Sequence, residues 1–137
     1  MPSVTRRAFT AGAALAMTAT ASAAAEKVKF GVLADIAGPF ADISGRGSVE
    51  AARLAIEDMG GSMLGSPIEL VFADHQHKPD VGLNLARQWY DIDGVDVILD
   101  VPNSAIALAV NHLTKEKRKI AIYANAATDR LTEDTCS

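Results

Sequence analysis

Val97-Ile98-Leu99 is an apolar run with two β-branched residues, held between Asp96 and Asp100. It passes through a turn, Val101-Pro102-Asn103-Ser104, into helical spacing. A strand covered on both faces reads this way, as a continuous apolar run rather than an alternation. The helix carries Ile106, Ala109, Val110 and Leu113 along one face, and Asn103 or Ser104 is placed to cap it. Its free N–H groups and the positive end of its dipole then point beyond the strand tip, a place suited to a carbonyl or an anion. An ordinary N-cap with no ligand accounts for the same residues.

The same unit recurs along the chain. Residues 27–34 read as a strand ending at Asp35, and residues 37–47, with three glycines and Pro39, read as a loop. The spacing predicts a helix over 48–59, with Val49, Ala52, Ile56 and Met59 inward and Glu50, Arg53, Glu57 and Asp58 outward. Gly60-Gly61 stops it. Pro67 opens a second strand over 68–73 that ends at Asp74, and a polar loop, 75–78, leads to a helix start at Pro79-Asp80. Val81, Leu85, Trp89 and Ile92 mark the face of that helix, with Trp89 read as core, and Gly94 ends it. Lys115, Lys117, Arg118 and Lys119 close the third helix with positive charge, matching the negative end of its dipole. A fourth strand over 120–124 exits through Asn125-Ala126-Ala127-Thr128.

Four strands with three helices between them predict the α/β class: a partial, doubly wound parallel sheet, because right-handed crossovers leave few alternatives. In such sheets the strand order reverses beside the first strand, and ligands bind where the loops at the strand C-termini open a crevice. The loops at 37–46, 75–78, 102–104 and 125–128 are therefore expected on one edge.

The start of the chain is expected to lie outside this domain. Thr5-Arg6-Arg7-Ala8-Phe9 precedes a mild Ala/Leu/Met-rich segment, and Ala21-Ser22-Ala23-Ala24-Ala25 supplies small residues for cleavage. Residues 1–25 thus read as a signal peptide of the twin-arginine type, too short in its apolar run to span a bilayer. Residues 26–137 form the domain. Export leaves the single cysteine, Cys136, without a partner in an oxidising compartment, which reads either as a free surface thiol or as one whose mate lies outside this sequence. A net charge of −4 offers no basic surface and argues against nucleic acid.

Phe30-Gly31-Val32-Leu33, then Gly38-Pro39 and a Gly-rich loop into an Ala-rich helix, resembles the opening of the periplasmic substrate-binding proteins of branched-chain amino-acid-type ABC importers. The likeness continues through Gly60-Gly61, Gly65-Ser66-Pro67-Ile68-Glu69-Leu70, the loop from Asp74 to Pro79, Asp93-Gly94-Val95-Asp96 and Asn125-Ala126-Ala127-Thr128. It implies the type I periplasmic binding fold, two α/β lobes closing on a small ligand at a hinge. It also implies delivery to ABC permease subunits in the inner membrane. On this resemblance residues 26–137 are an incomplete N-terminal lobe, expected to be non-functional alone and marginally stable because apolar surface is left open beside the fourth strand.

The resemblance places the ligand's carboxylate on Ser104, beside Asn103, and assigns backbone groups and a hydroxyl to Ala126, Ala127 and Thr128. An aromatic residue packs on the ligand in the family's first loop. Here Ile43 stands nearest that position, with Phe40 three residues earlier, a departure that points away from leucine or valine as ligand. Implied ligands are small and polar or carboxylate-bearing: an amino acid, an amide or an organic acid. A ligand-sensing extracytoplasmic domain of a receptor shares all these residues.

Other chemistry finds little support. Asp35, Asp74 and Asp100 at three strand ends evoke a metal or phosphoacceptor cluster, but adjacent acids after the first strand and a lysine after a fifth are lacking, so they are read as loop caps or solvated acids. His75 and His77 are read as solvated, without a third metal ligand. Gly45-Arg46-Gly47 lacks the third glycine of a dinucleotide loop. No nucleophile elbow or carboxylate pair marks an enzyme, and no cofactor is expected.

Overall fold

The central strand, β1 (Val28–Ala34), pairs in parallel with a strand on each side. This computed structural model of the chain describes residues 26–136, so the export signal read at residues 1–25 lies outside the described residues. A two-residue strand, β2 (Ser62–Met63), lies on the outer side of β3 (Ser66–Asp74), which flanks β1 on one side. β4 (Val97–Asp100) flanks it on the other and pairs in parallel with β5 (Ile120–Tyr123). The sheet order is β2-β3-β1-β4-β5. Because β1, β3, β4 and β5 run the same way, the four loops leaving their C-terminal ends share one edge, as the alternation predicts.

Side-chain alternation along β1 decides what covers each face. Val32 and Ala34 pack with Val49 of α1 (Gly45–Asp58), the helix joining β1 to β3. Leu33 faces the opposite layer, with Ala86 of α2 (Pro79–Gln88), Trp89, and Ile106, Val110 and Leu113 of α3 (Ser104–Lys117). Gly31 shares that face. A Cβ there would stand 2.7 Å from two carbons of the Trp89 ring, so the glycine makes room for the indole. The α1 layer is thinner. Ile120 and Ile122 are exposed, and a hollow of about 230 Å³ opens between α1 and Val32, Leu99 and Ile122.

The strand count differs from the sequence reading. β2 and β3 form an antiparallel hairpin, Ser62 opposite Pro67 and Met63 opposite Ser66, whose two-residue tip places Leu64 at φ 53° and Gly65 at φ 84°. That primed turn suits a hairpin, but leucine at its first position carries no turn signal. α1 begins at Gly45, three residues before the predicted Ser48, and Met59 is exposed at its C-cap rather than inward.

Helix α2 also departs from a single 3.6-residue period. Trp89–Asp93 is a π-helical turn, which packs more residues into a turn and rotates the face. Gly82, Ala86, Trp89 and Tyr90 are buried, while Ile92 is 78 % exposed. Gly94 closes the segment at φ 70°.

His75, read as solvated, is fully buried at the end of β3. Its N–H donates to Ala34 O at 3.0 Å, and its Nδ1 accepts from the His77 N–H at 3.0 Å. Burial pushes the imidazole below its usual pKa of 6.5, against the pull of Asp35 and Asp74.

Two outcomes follow from this packing. Gly31→Ala should cost about 1–3 kcal/mol in urea denaturation by driving a methyl into the Trp89 ring, and a variant as stable as the parent would remove the indole from that gap. Below about pH 6.5 the unfolded chain takes up a proton on His75 that the fold refuses, so stability falls with acidification until the folded ring itself titrates. Comparing denaturation midpoints at about pH 7.5 and about pH 5.5, His75→Asn should lose part of that decline. An unchanged decline would contradict the burial of a neutral ring.

Candidate functional site

β1 and β4 lie side by side, yet their connections leave over opposite faces, β1 toward α1 and β4 toward α3. Diverging connections open a crevice at the strand tips, and polar groups line it. Asp35 is fully buried there: its Oδ2 accepts from the Phe40 N–H at 3.0 Å, and Gly38 leaves space that any Cβ would take from the carboxylate. Asp74 Oδ1 accepts from the N–H groups of Ile36 at 3.2 Å and Gln76 at 2.7 Å. Asp100, nearly buried, accepts from the Ser44 hydroxyl at 2.5 Å through Oδ2 and from Asn125 Nδ2 at 3.3 Å through Oδ1. All three acids cap loops, and Asp35 and Asp100 are withdrawn from the solvent that the sequence reading allowed them.

The backbone between β4 and α3 is unusual. Asp100 sits at φ 81° and Val101 at φ 53°, a left-handed pair without glycine, and Val101 is fully buried. The Val101 N–H donates to Leu33 O at 3.1 Å and the Ala124 N–H to Asp100 O at 3.3 Å, so the kinked chain is tied on both sides. Pro102 then delivers Asn103, the N-cap of α3, whose Oδ1 accepts from the N–H groups of Ala105 at 2.9 Å and Ile106 at 3.1 Å. The Ala107 N–H takes Asn103 O at 2.8 Å. Of the first-turn donors, the Ser104 N–H and hydroxyl remain open, half-exposed at the crevice.

His77 joins the loops. Its Nε2 lies 3.1 Å from Asn103 Nδ2, its ring lies 5.1 Å from the Phe40 ring centroid in a tilted contact, and its Nδ1 faces Asp35 Oδ2 at 3.5 Å. Phe40, Asn103 and, through its backbone neighbour, Ser104 thus share one end of the crevice. Ile43 is exposed, and its carbonyl accepts from Asn125 Nδ2 at 3.3 Å, which brings the first and last loops together. Ala127 is exposed in the exit loop. Ala126 and Thr128 line a different hollow, of about 280 Å³, with Asn111, Tyr123 and Leu131 on the α3 side of β5. The links through His77, Ser44 and Asn125 had no sequence signal beyond their membership of the four loops.

Asp35, Asp74 and His75 each place a donor atom within 4.8 Å of the others, which is metal-ligand spacing. The hydrogen bonds speak against a metal. Because His75 Nδ1 accepts from the His77 N–H, the neutral ring carries its proton on Nε2, and that buried, unpartnered atom is a donor rather than a ligand.

Residues 27–137 match the family model described as periplasmic binding protein. Among solved structures, a periplasmic binding protein from Burkholderia mallei is 43 % identical with a TM-score of 0.79, over 81 % of this chain and 30 % of that one. A branched-chain amino acid ABC transporter periplasmic ligand-binding protein from Burkholderia xenovorans is 53 % identical with a TM-score of 0.74, over 77 % of this chain and 28 % of that one. A solute-binding protein of an ABC transporter from Rhodopseudomonas palustris, in complex with 3,4-dihydroxybenzoic acid, is 28 % identical with a TM-score of 0.73, over 78 % of this chain and 29 % of that one. No match is found among curated proteins. The chain spans under a third of the length of these structures. Matched along nearly all its described length, the chain belongs to the periplasmic binding protein family and has the type I fold of the branched-chain amino-acid ABC transporter proteins.

Proposed function

We propose that the chain supplies one wall of the ligand cleft of a periplasmic solute-binding protein, which hands a small carboxylate-bearing solute to the permease of an ABC importer. The observation that carries this reading is the start of α3. Asn103 consumes the Ala105 and Ile106 N–H groups, whereas the N–H and hydroxyl of Ser104 stay open at the crevice, at the positive end of a 14-residue helix. A carboxylate there would accept two hydrogen bonds and meet the helix dipole. Two relatives support the class: one belongs to a branched-chain amino acid transporter and another holds 3,4-dihydroxybenzoic acid, and amino acids and that acid alike bear a carboxylate.

Phe40, half-buried against His77, offers an apolar surface to the rest of the solute, with Ile43 beside it in the same loop. Ala126, Ala127 and Thr128 belong to the outer rim of this reading, since two of them line the hollow beside β5. Binding and release, rather than bond making, are the work of such a site. The family and the expected export signal at residues 1–25 both support residence in the periplasm.

Titrating the ¹⁵N-labelled chain with L-leucine and, separately, with 3,4-dihydroxybenzoate should move the amide resonances of Ser104 and Ala105 with at least one probe. Ser104→Ala should weaken that binding by about 1–3 kcal/mol if the bond is charge-assisted. Equal affinity in the variant would remove Ser104 from the site.

A further inference from the structure

The contacts of His77 fix where its proton sits. Asn103 Oδ1 is committed to the Ala105 and Ile106 N–H groups, which turns its Nδ2, a donor, toward His77 Nε2 at 3.1 Å. Two donors cannot share that contact, so Nε2 is bare and accepts. The ring proton is left on Nδ1, aimed at the buried Asp35 carboxylate at 3.5 Å, a distance suited to Coulomb attraction rather than a full hydrogen bond. The result is a directional chain: Asp35, His77 Nδ1–H, His77 Nε2, Asn103 Nδ2–H, Asn103 Oδ1, and the first turn of α3.

We infer that His77 is a positioning residue of the ligand cleft, a clasp that holds the Asn103 amide in its capping orientation and the Phe40 ring in place only while its Nε2 is unprotonated. This rests on the ligand reading above for its purpose, though its geometry stands apart from it. When Nε2 takes up a proton, N–H confronts N–H. Either the amide turns over, presenting Oδ1 to the imidazolium and releasing Ala105 and Ile106, or the ring leaves the cap and withdraws its support from Phe40.

The charged and titratable groups next to the ring come from two elements. Asp35 faces it at 3.5 Å from the end of β1, and in its own loop His75 accepts from the His77 backbone N–H while the exposed Lys78 follows.

The test is a long-range ¹H–¹⁵N spectrum of the full chain labelled at histidine, recorded through a pH titration without ligand. At neutral pH His77 should show the Nδ1–H tautomer, and on acidification the amide resonances of Ala105 and Ile106 should move with the same midpoint as its ring. An Nε2–H tautomer, or Ala105 and Ile106 amides that ignore the ring, would overturn the clasp. Asn103→Asp supplies a cap that accepts from both sides. It should uncouple the cap from the ring, so that the Ala105 and Ile106 amides no longer follow the state of His77. Ala105 and Ile106 amides that still follow the ring in that variant would also count against the inference. Failure of the cleft reading looks different: the tautomer and the coupled titration persist while neither L-leucine nor 3,4-dihydroxybenzoate perturbs Ser104.

Discussion

β1 is hydrogen-bonded on both sides and packed on both faces, and that double enclosure dictates the rest of the molecule. A strand so placed has no room for polar alternation, and at Gly31 it has no room for a side chain where Trp89 crosses. Its neighbours β3 and β4 are reached over opposite faces, so the chain must part at the tips of β1 and β4. The crevice is a topological consequence of the sheet order. What the sequence adds is the lining: acids to close the loops, and a helix start without a filled first turn.

The carboxylates at this edge, buried at Asp35 and Asp100 and partly buried at Asp74, are each given donors. Asp74 takes two backbone N–H groups, Asp100 takes a hydroxyl and an amide, and Asp35 takes one backbone N–H with His77 close by. An unpartnered buried charge costs far more than a capped one, so these contacts help hold the loops against the strand tips. The edge at the strand tips is therefore organised by hydrogen bonds, while the two faces are organised by side-chain volume.

Much of the architecture was legible because its elements obey strong local rules. The apolar runs at β1, β3, β4 and β5, the glycines after α1 and α2, and the asparagine ahead of α3 all specify their conformations within a few residues. Less legible were features set by contacts distant in sequence. The hairpin turns at Leu64-Gly65, where the glycine suits a positive φ but the leucine before it carries no turn chemistry of its own. The π-helical turn at Trp89–Asp93 exchanges an exposed Ile92 for a buried Tyr90, whose hydroxyl contacts Thr114 Oγ1 and donates to Ile120 O. His75 looked like a loop residue because its burial depends on β1 and α2 rather than on its neighbours. At the start of α3, Asn103 was legible by capping logic, whereas the contact of His77 with it emerged only with the loops in view.

The left-handed pair Asp100 and Val101 marks where the protein gives up local comfort. A β-branched residue at φ 53° resists that backbone, and glycine would accept it freely. Packing around Val101 and the bonds to Leu33 and Ala124 over-determine the kink, which aims Asn103 at the crevice. A glycine would relax the backbone but empty a fully buried core position, a larger loss than the strain it relieves. Valine at this kink shows side-chain volume overruling backbone preference, with a fixed entry angle into α3 as the by-product.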